Sequence, residues 1–311
     1  MNIIKSPIFY MGNKYRLLPK LLRLFPKECK TFVDLFGGSG CVSGNYFGKE
    51  LTIYNELNPN IYTLFNIFIQ KQPKEIVQKI LDNIEKFNLN VEGVDVKQNS
   101  PRVKETRDKY NENYLTFREW YNKSNRNPLD LFTLTFYSFS NLIRFNSDSD
   151  FNMPYGNRCF TSEHKEIIEQ WCQRMSEHKV DTYNGDYKDT LNKLELTEND
   201  FVYLDPPYSQ TLAIYNESRA FGGWTIESDK ELFQILERLN RQGVKWGMSN
   251  VFKNKDFENT HLVEWCEKNN WKVYHLDINY SALGKGNAWS DEVYICNYET
   301  ENKPYNKKSL I

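Results

Sequence analysis

Phe201-Val202-Tyr203-Leu204-Asp205-Pro206-Pro207-Tyr208 is the stretch on which the fold of this chain turns. Four apolar, β-favouring residues stop at an acid, two prolines and an aromatic ring. The run is too short for a helix and reads as a buried strand. Each proline lacks an N–H, and the residue before a proline is pushed out of the α region. The strand therefore cannot continue into a helix, and Asp205 is held at the carboxyl edge of the sheet, where open α/β sheets bind ligands. A carboxylate, a rigid turn rich in carbonyls and a flat ring suit a planar group that carries an amino function. Taken alone, the octet reads equally well as a strand followed by a proline turn with a surface acid.

Outward from the octet, the chain has 311 residues, 40% of them apolar and 15% aromatic, enough for a substantial core. No apolar run approaches the ~18 residues of a membrane span. The first residues, Met1 to Pro7, lack the apolar core of a signal peptide. Six scattered cysteines form no CxxC pair, so neither a metal site nor a disulfide framework is signalled, and a cytoplasmic location with reduced thiols is expected. The formal net charge of -1 carries no global signature of nucleic-acid binding, which depends instead on a local patch.

Two further strands end in ligand-type residues. Thr31-Phe32-Val33 runs into Asp34-Leu35-Phe36-Gly37-Gly38-Ser39-Gly40, which reads as a strand, a glycine turn and then a helix, the first unit of a nucleotide-type sheet. Such glycines let the backbone approach a ligand closely. The dinucleotide fingerprint would need glycines at 37, 39 and 42; Ser39 and Val42 break it, which disfavours a nicotinamide dehydrogenase. Leu51-Thr52-Ile53-Tyr54 leads to Asn55-Glu56-Leu57-Asn58, and an acid there suits the two hydroxyls of a ribose. Upstream, Tyr10, Gly12 and Lys14 precede an amphipathic helix over 15–25.

The alternation of strand and helix then lapses. Residues 61–87 show helical spacing, 88–104 read as a polar loop, and 106–123 and 128–141 are helical again. Arg144-Phe145-Asn146 to Phe151-Asn152-Met153-Pro154-Tyr155-Gly156 suggests a hairpin that presents side chains. The sheet resumes at 180–187, followed by the octet, a helix over 227–241, a strand over 244–249, a helix over 257–270 and terminal strands over 271–278 and 292–298. Residues 213–224 read as a mobile lid after the octet. The expected organisation is a catalytic domain of residues 1–60 and 179–298, an inserted recognition domain of 61–178 and a tail of 299–311.

In this order the motifs resemble the Dam-like (group alpha) DNA adenine-N6 methyltransferases. The matching pieces are Tyr10-x-Gly12-x-Lys14, Asp34 to Gly40, Asn55 to Asn58, Gly185-Asp186-Tyr187 and Asp205 to Tyr208, with Arg144-Phe145-Asn146 and Phe151 to Gly156 in the position of the family's DNA-contacting hairpin. The resemblance runs from Pro7 to Tyr298. It implies an α/β, Rossmann-like sheet of about seven mostly parallel strands, with S-adenosylmethionine as methyl donor. On the matching positions, Tyr10, Gly12 and Lys14 would contact the donor, and Asp34 and Phe36-Gly37-Gly38-Ser39-Gly40 would wrap its methionine part. Glu56 would bind the ribose, although the family usually has Asp there, and Asp186 and Tyr187 would stand near the adenine ring. Ser140, Asn141, Leu142, Arg144, Asn146, Asn152 and Pro154 would meet DNA. GATC-methylating members carry Asn-Gly where this chain has Ser140-Asn141, whereas Leu142 and Arg144 agree with that group. Lys14, Lys123, Arg126, Arg158 and Lys165 are candidates for phosphate contacts, although ordinary solvated charge is the preferred reading for most of them, and the acidic hairpin tip, Asp148 and Asp150, is expected to point away from phosphate or to accept from cytosine.

The implied chemistry agrees with the octet. Asp205 and the Pro206 carbonyl would each accept one proton of an adenine amino group, Pro207 would keep the turn rigid and Tyr208 would stack on the base. Cytosine-N4 methylation uses the same grip, and a non-catalytic DNA-binding protein on this fold is the reading from a different class. RNA or protein-glutamine methylation uses Asn at the position of Asp205. Expected partners are double-stranded DNA and a separately encoded restriction endonuclease, with no membrane and a monomer in solution; a solitary or phage role is the other setting.

Overall fold

The computed structural model of the protein describes residues 2–98, 100–208, 223–254, 257–276 and 290–300. Among these residues, seven strands form one sheet: β1 (Thr31–Asp34), β2 (Leu51–Glu56), β3 (Val180–Asn184), β4 (Phe201–Leu204), β5 (Lys245–Asn254), β6 (Lys272–His275) and β7 (Ser290–Cys296). Their order is β3-β2-β1-β4-β5-β7-β6. All neighbouring pairs from β3 to β5 are parallel. β7 runs antiparallel between β5 and β6. The chain builds outward from β1 to β2 and β3, then returns to lay β4 on the other side of β1. That reversal opens a crevice above the carboxyl ends of β1 and β4, the position at which such sheets bind ligands.

Alternation along the strands sorts the two faces. Phe32, Phe201 and Tyr203 face α1 (Leu18–Leu24), clustering with Leu18, Leu21 and Phe25. Val33, Ile53, Val202 and Leu204 turn to the opposite face, where α7 (Tyr187–Leu191), α8 (Ile226–Arg241) and α9 (Thr260–Asn269) cover them. Burying each such side chain contributes roughly 1.5–3 kcal/mol. The inserted part comprises α2 (Pro59–Gln70), α3 (Pro73–Lys86), α4 (Pro101–Lys123), α5 (Pro128–Tyr137) and α6 (Ser162–Ser176). Its core is continuous with the sheet: Tyr54 of β2 stacks on Phe65 of α2 at 3.6 Å between ring centroids, and Trp171 of α6 meets Phe65 edge-on.

Several expectations need correction. No helix follows the glycine turn; residues 41–45 form only turns. Gly44 and Gly48 are poor helix residues, and a Cβ on Gly44 would stand 2.3 Å from the Trp171 ring. Gly37 and Gly40 make room for aromatic rings: a Cβ would approach Tyr54 and Phe65, respectively, to 2.2 Å, although Gly37 also lines the crevice. Helix α4 starts at Pro101, not near 106, because Ser100 caps it and Pro101 occupies the first turn, where proline is favourable. β5 extends to Asn254 through its pairing with β7. The expected lid lies almost wholly outside the described residues, as does the tail beyond Thr300.

Gly40→Ala should lower stability by at least ~2 kcal/mol, since it adds overpacking against Phe65 to strain at φ +71°. Urea unfolding measures this, and a midpoint equal to that of the unmodified protein would contradict it.

Candidate active site

Four segments converge on the crevice. β4 delivers Asp205, and the Pro206-Pro207 turn then places Tyr208, whose hydroxyl donates to Asp205 Oδ1 at 3.3 Å. From the N-terminal segment, Lys14 Nζ reaches Asp205 Oδ2 at 2.6 Å, with side-chain exposures of 9% for the lysine and 20% for the acid. The ammonium also donates to the Gly12 carbonyl and lies 5.6 Å from the centroid of the Tyr208 ring. Asn13 anchors this segment to the glycine turn through Ser39 Oγ at 3.1 Å. The Tyr10 ring lies over Gly38, where an added Cβ would approach it to 3.1 Å.

The charges in this crevice are unbalanced. Burial pushes the Asp34 carboxyl up to about 7; the Ser43 hydroxyl and N–H pull it down, and the charges of Asp205 and Glu56 push it further up. Asp205 is raised above its ordinary value by burial, against the opposing pull of Lys14 and Tyr208. For Lys14, burial favours the neutral amine, but the charges of Asp205 and its neighbours outweigh it and the ammonium is held more firmly than usual. Lys14 thus pairs with Asp205, while the charges of Asp205 and Glu56 both bear on Asp34.

At the end of β2, the two oxygens of Glu56 accept the N–H groups of Gly38 at 2.8 Å and Asn58 at 2.7 Å. The carboxylate is therefore aimed before any ligand arrives. Asn55 ties the strand ends together, donating to the Leu35 carbonyl and accepting from Thr190. Opposite stand Phe36 and Tyr187, with ring centroids 5.0 Å apart. Asp186 lines the same cavity and caps α7 by accepting the Lys188 N–H. The cavity gathers every donor-contacting and catalytic residue expected from the sequence except Gly40, which lies beneath Phe65. It adds Asn13 and Asn55, which lie within motifs but are given no role by them, and Trp224, Ser228 and Glu231, which carry no local motif.

The model of the D12 class N6 adenine-specific DNA methyltransferases matches residues 10–276, nearly the whole span over which these elements are assembled. The chain belongs to that family. Among its relatives, the modification methylase StsI of Streptococcus sanguinis is 36% identical over 303 residues, covering 96% of this chain and 43% of the relative. The type II methyltransferase M.FokI of Planomicrobium okeanokoites is 33% identical, covering 96% and 44%. The chain thus spans less than half the length of these two. The DNA adenine methylase of Escherichia coli K12 is 26% identical and is matched over 92% of its own length.

In this family member the hairpin expected over 144–156 is present. Phe145 bridges Phe151, and Ser138 bridges Tyr155. One edge of α4 holds the returning strand through its backbone. Tyr114 and Arg118 donate to the Met153 carbonyl at 2.9 and 2.8 Å. Asn122 pairs with both the N–H and the C=O of Phe151. Just past the helix, Arg126 binds Asp150 at 2.6 Å.

The hairpin residues divide into two groups. Arg144 is exposed, with its guanidinium braced across the hairpin by Asn152 Oδ1 at 2.8 Å. Ser140, Asn146 and Pro154 are also exposed, and Leu142 is half-buried. Asn141 is instead buried at 5% exposure: it donates to the Thr135 carbonyl and accepts from Arg158, so it is a strut beneath the surface. Ser140 and Asn141 both have left-handed backbone, φ +56° and +57°, the conformation that Asn and Gly favour. Asn146 spends its side-chain oxygen on the N–H groups of Asp148 and Asp150. Phe139, missed in the sequence, is the most solvent-exposed large apolar residue described, at 58%. Of the cations expected to meet phosphate, Lys14 is buried against Asp205, Arg126 is bound to Asp150, and Lys123 pairs with Glu119.

The raised Asp34 carboxyl sets a pH dependence. The native state holds this proton more tightly than the unfolded chain, so its contribution to stability is full below about 3.8 and is lost as pH rises towards about 7. Thermal melts of the protein and Asp34→Asn should therefore show the native protein losing stability relative to the variant across that window, with a level difference above it. A difference that grows in the native protein's favour would contradict the assignment.

Proposed function

We propose that this chain transfers the methyl group of S-adenosylmethionine to N6 of an adenine flipped out of double-stranded DNA. The observation that carries the reading is Asp205, a half-buried acid at a strand end, ion-paired to buried Lys14 and opening into the same cavity as the pre-aimed Glu56.

The residues suit the donor. The Glu56 carboxylate fits two ribose hydroxyls, and the rings of Phe36 and Tyr187 fit a purine. The Tyr187 hydroxyl is buried without a hydrogen-bond partner among the described residues, an atom that a ring nitrogen would satisfy. When bound, S-adenosylmethionine supplies an electrophilic methyl group. Tyr10, Gly12 and the Phe36 to Ser39 turn enclose the region beside Asp205 where its methionine part belongs.

An adenine amino nitrogen is a weak nucleophile because its lone pair is delocalised into the ring. Asp205 and the Pro206 carbonyl supply two acceptors at one point, and accepting both N6 protons draws the nitrogen towards tetrahedral geometry. Only the long Tyr208 contact must yield at Asp205 Oδ1, while Lys14 keeps Oδ2. Lys14 therefore keeps the acid ionised during acceptance. As the N–CH3 bond forms and the S–CH3 bond breaks, its electron pair staying on a neutral thioether, positive charge would pass to N6 and its proton would leave towards Asp205, whose raised affinity suits it to receive one. Tyr208 stacks on the base, an interaction worth ~1–3 kcal/mol against the cost of flipping. Because no free base is required, the acceleration comes from alignment and from charges already in place.

Residues 61–178 act in this account as the recognition insert on a catalytic part of 1–60 and 179–298. Arg144, braced by Asn152, is placed for a bidentate contact to a guanine edge, worth ~1–3 kcal/mol of discrimination. Exposed Phe139, whose N–H donates to the Pro154 carbonyl of the returning strand, offers a stacking face. Two of the relatives are modification or type II enzymes by name. The corresponding role here is protection of cytoplasmic DNA from a separately encoded restriction endonuclease, by a monomer.

Asp205→Ala should reduce tritium transfer from the donor to DNA to below about a hundredth, the loss expected for a central electrostatic contact. Lys5→Ala, which breaks only an exposed pair with Glu163, should leave the rate unchanged. An active Asp205→Ala protein would sink the mechanism.

A further inference from the structure

Trp224 closes the cavity from a side that no sequence motif marks. Its ring is 7% exposed, meets Phe36 edge-on at 5.6 Å and lies 5.8 Å from Tyr187. Three segments thus bring three rings to one wall: the end of β1, the start of α7 and the residues before α8. Gly223, in left-handed conformation at φ +73°, immediately precedes the tryptophan, so the backbone on that side does little to fix the ring.

A buried polar chain fixes it instead. The Trp224 indole N–H donates to Asp229 Oδ1 at 2.7 Å. The other oxygen, Oδ2, lies 2.8 Å from His261 Nε2 on α9. A carboxylate only accepts, so Nε2 carries the proton in this pair. Asp229 is 3% exposed and sits in the first turn of α8, where the helix dipole favours an acid. Thr225 and Ser228 cap that turn reciprocally, which fixes the helix start relative to the tryptophan. The imidazole in turn lies 6.1 Å from the Phe233 ring on α8. Burying a carboxylate is costly unless it is fully hydrogen-bonded. An apolar residue would fill the same space without that cost, but it would not orient an indole.

We infer that Asp229 and His261 are positioning residues that lock Trp224 against Phe36 and Tyr187 as the third wall for the donor's adenine ring. Donor affinity is thereby set in part by Asp229 and His261, two side chains behind the cavity lining. The inference rests on the proposed donor and deepens that reading. It requires the three side chains to behave as one unit: removing any of them should cost affinity for the donor and little else. The chemical step at Asp205 keeps its own supports, Lys14 and Tyr208.

Equilibrium dialysis with tritiated S-adenosylmethionine tests this on the full chain, with the thermal midpoint and kcat at saturating donor measured alongside. His261→Ala and Trp224→Phe should each weaken donor binding by about tenfold, the loss of part of a stacking contact. In both variants kcat at saturating donor should stay within about twofold. Asp229→Asn, which keeps an acceptor for the indole, should bind more tightly than Asp229→Ala. Folded His261→Ala and Trp224→Phe proteins that bind the donor as the unmodified chain does would overturn the inference. So would an equal fall in kcat at saturation, which marks a general structural defect. An unmodified protein that binds no donor would overturn the donor reading itself, and the inference with it.

Discussion

Lys14 Nζ stands 2.6 Å from Asp205 Oδ2 at a point where Asp34 and Glu56 also present carboxyl groups to the sheet edge. Taking each such charge out of water costs several kcal/mol, and breaking a pair of this kind by removing one partner costs ~3–5 kcal/mol. The N-terminal segment is therefore bound to the octet by more than packing. Its position is reinforced by Asn13 on Ser39 Oγ and by the Ser6 hydroxyl on the Ser39 carbonyl. Without that ammonium, three neighbouring acids would push each other towards protonation, and Asp205 would lose the charge that makes it a strong acceptor.

The hairpin over 144–156 depends on a comparable set of polar contacts. The hairpin is short and has no further strand beside it among the described residues. A two-stranded ribbon is marginal by itself. The α4 edge takes the place of a third strand, with Asn122 satisfying both backbone groups of Phe151 and Arg126 neutralising Asp150. The result presents Arg144 on the outer surface and pairs Asp150 with Arg126, while Asp148 stays exposed.

Much of the catalytic edge was legible in the chain because its signals are local. A strand that ends in an acid can be read from a few neighbouring residues, and three of them, ending at Asp34, Glu56 and Asp205, lie side by side in the sheet. What was not legible depends on contacts distant in sequence. Gly37 and Gly40 look like a ligand-binding turn, yet the rings that require them, Tyr54 and Phe65, lie elsewhere in the chain. Asn141 sits among surface residues in the motif but turns inward because its left-handed backbone directs the amide to the Thr135 carbonyl. Trp224 has no motif at all, since its role comes from Phe36, Tyr187 and Asp229. The start of α4 was hidden because Asn-Ser-Pro reads as loop punctuation, although Ser and Pro are also favourable at a helix start.

The central claim is that Asp205 and the Pro206 carbonyl hold the amino group of an adenine. The most direct measurement is mass spectrometry of nucleosides from DNA incubated with the protein and S-adenosylmethionine. N6-methyldeoxyadenosine, formed by the unmodified protein, is the predicted product. N4-methyldeoxycytidine, or DNA left without any methylated base, would contradict the account.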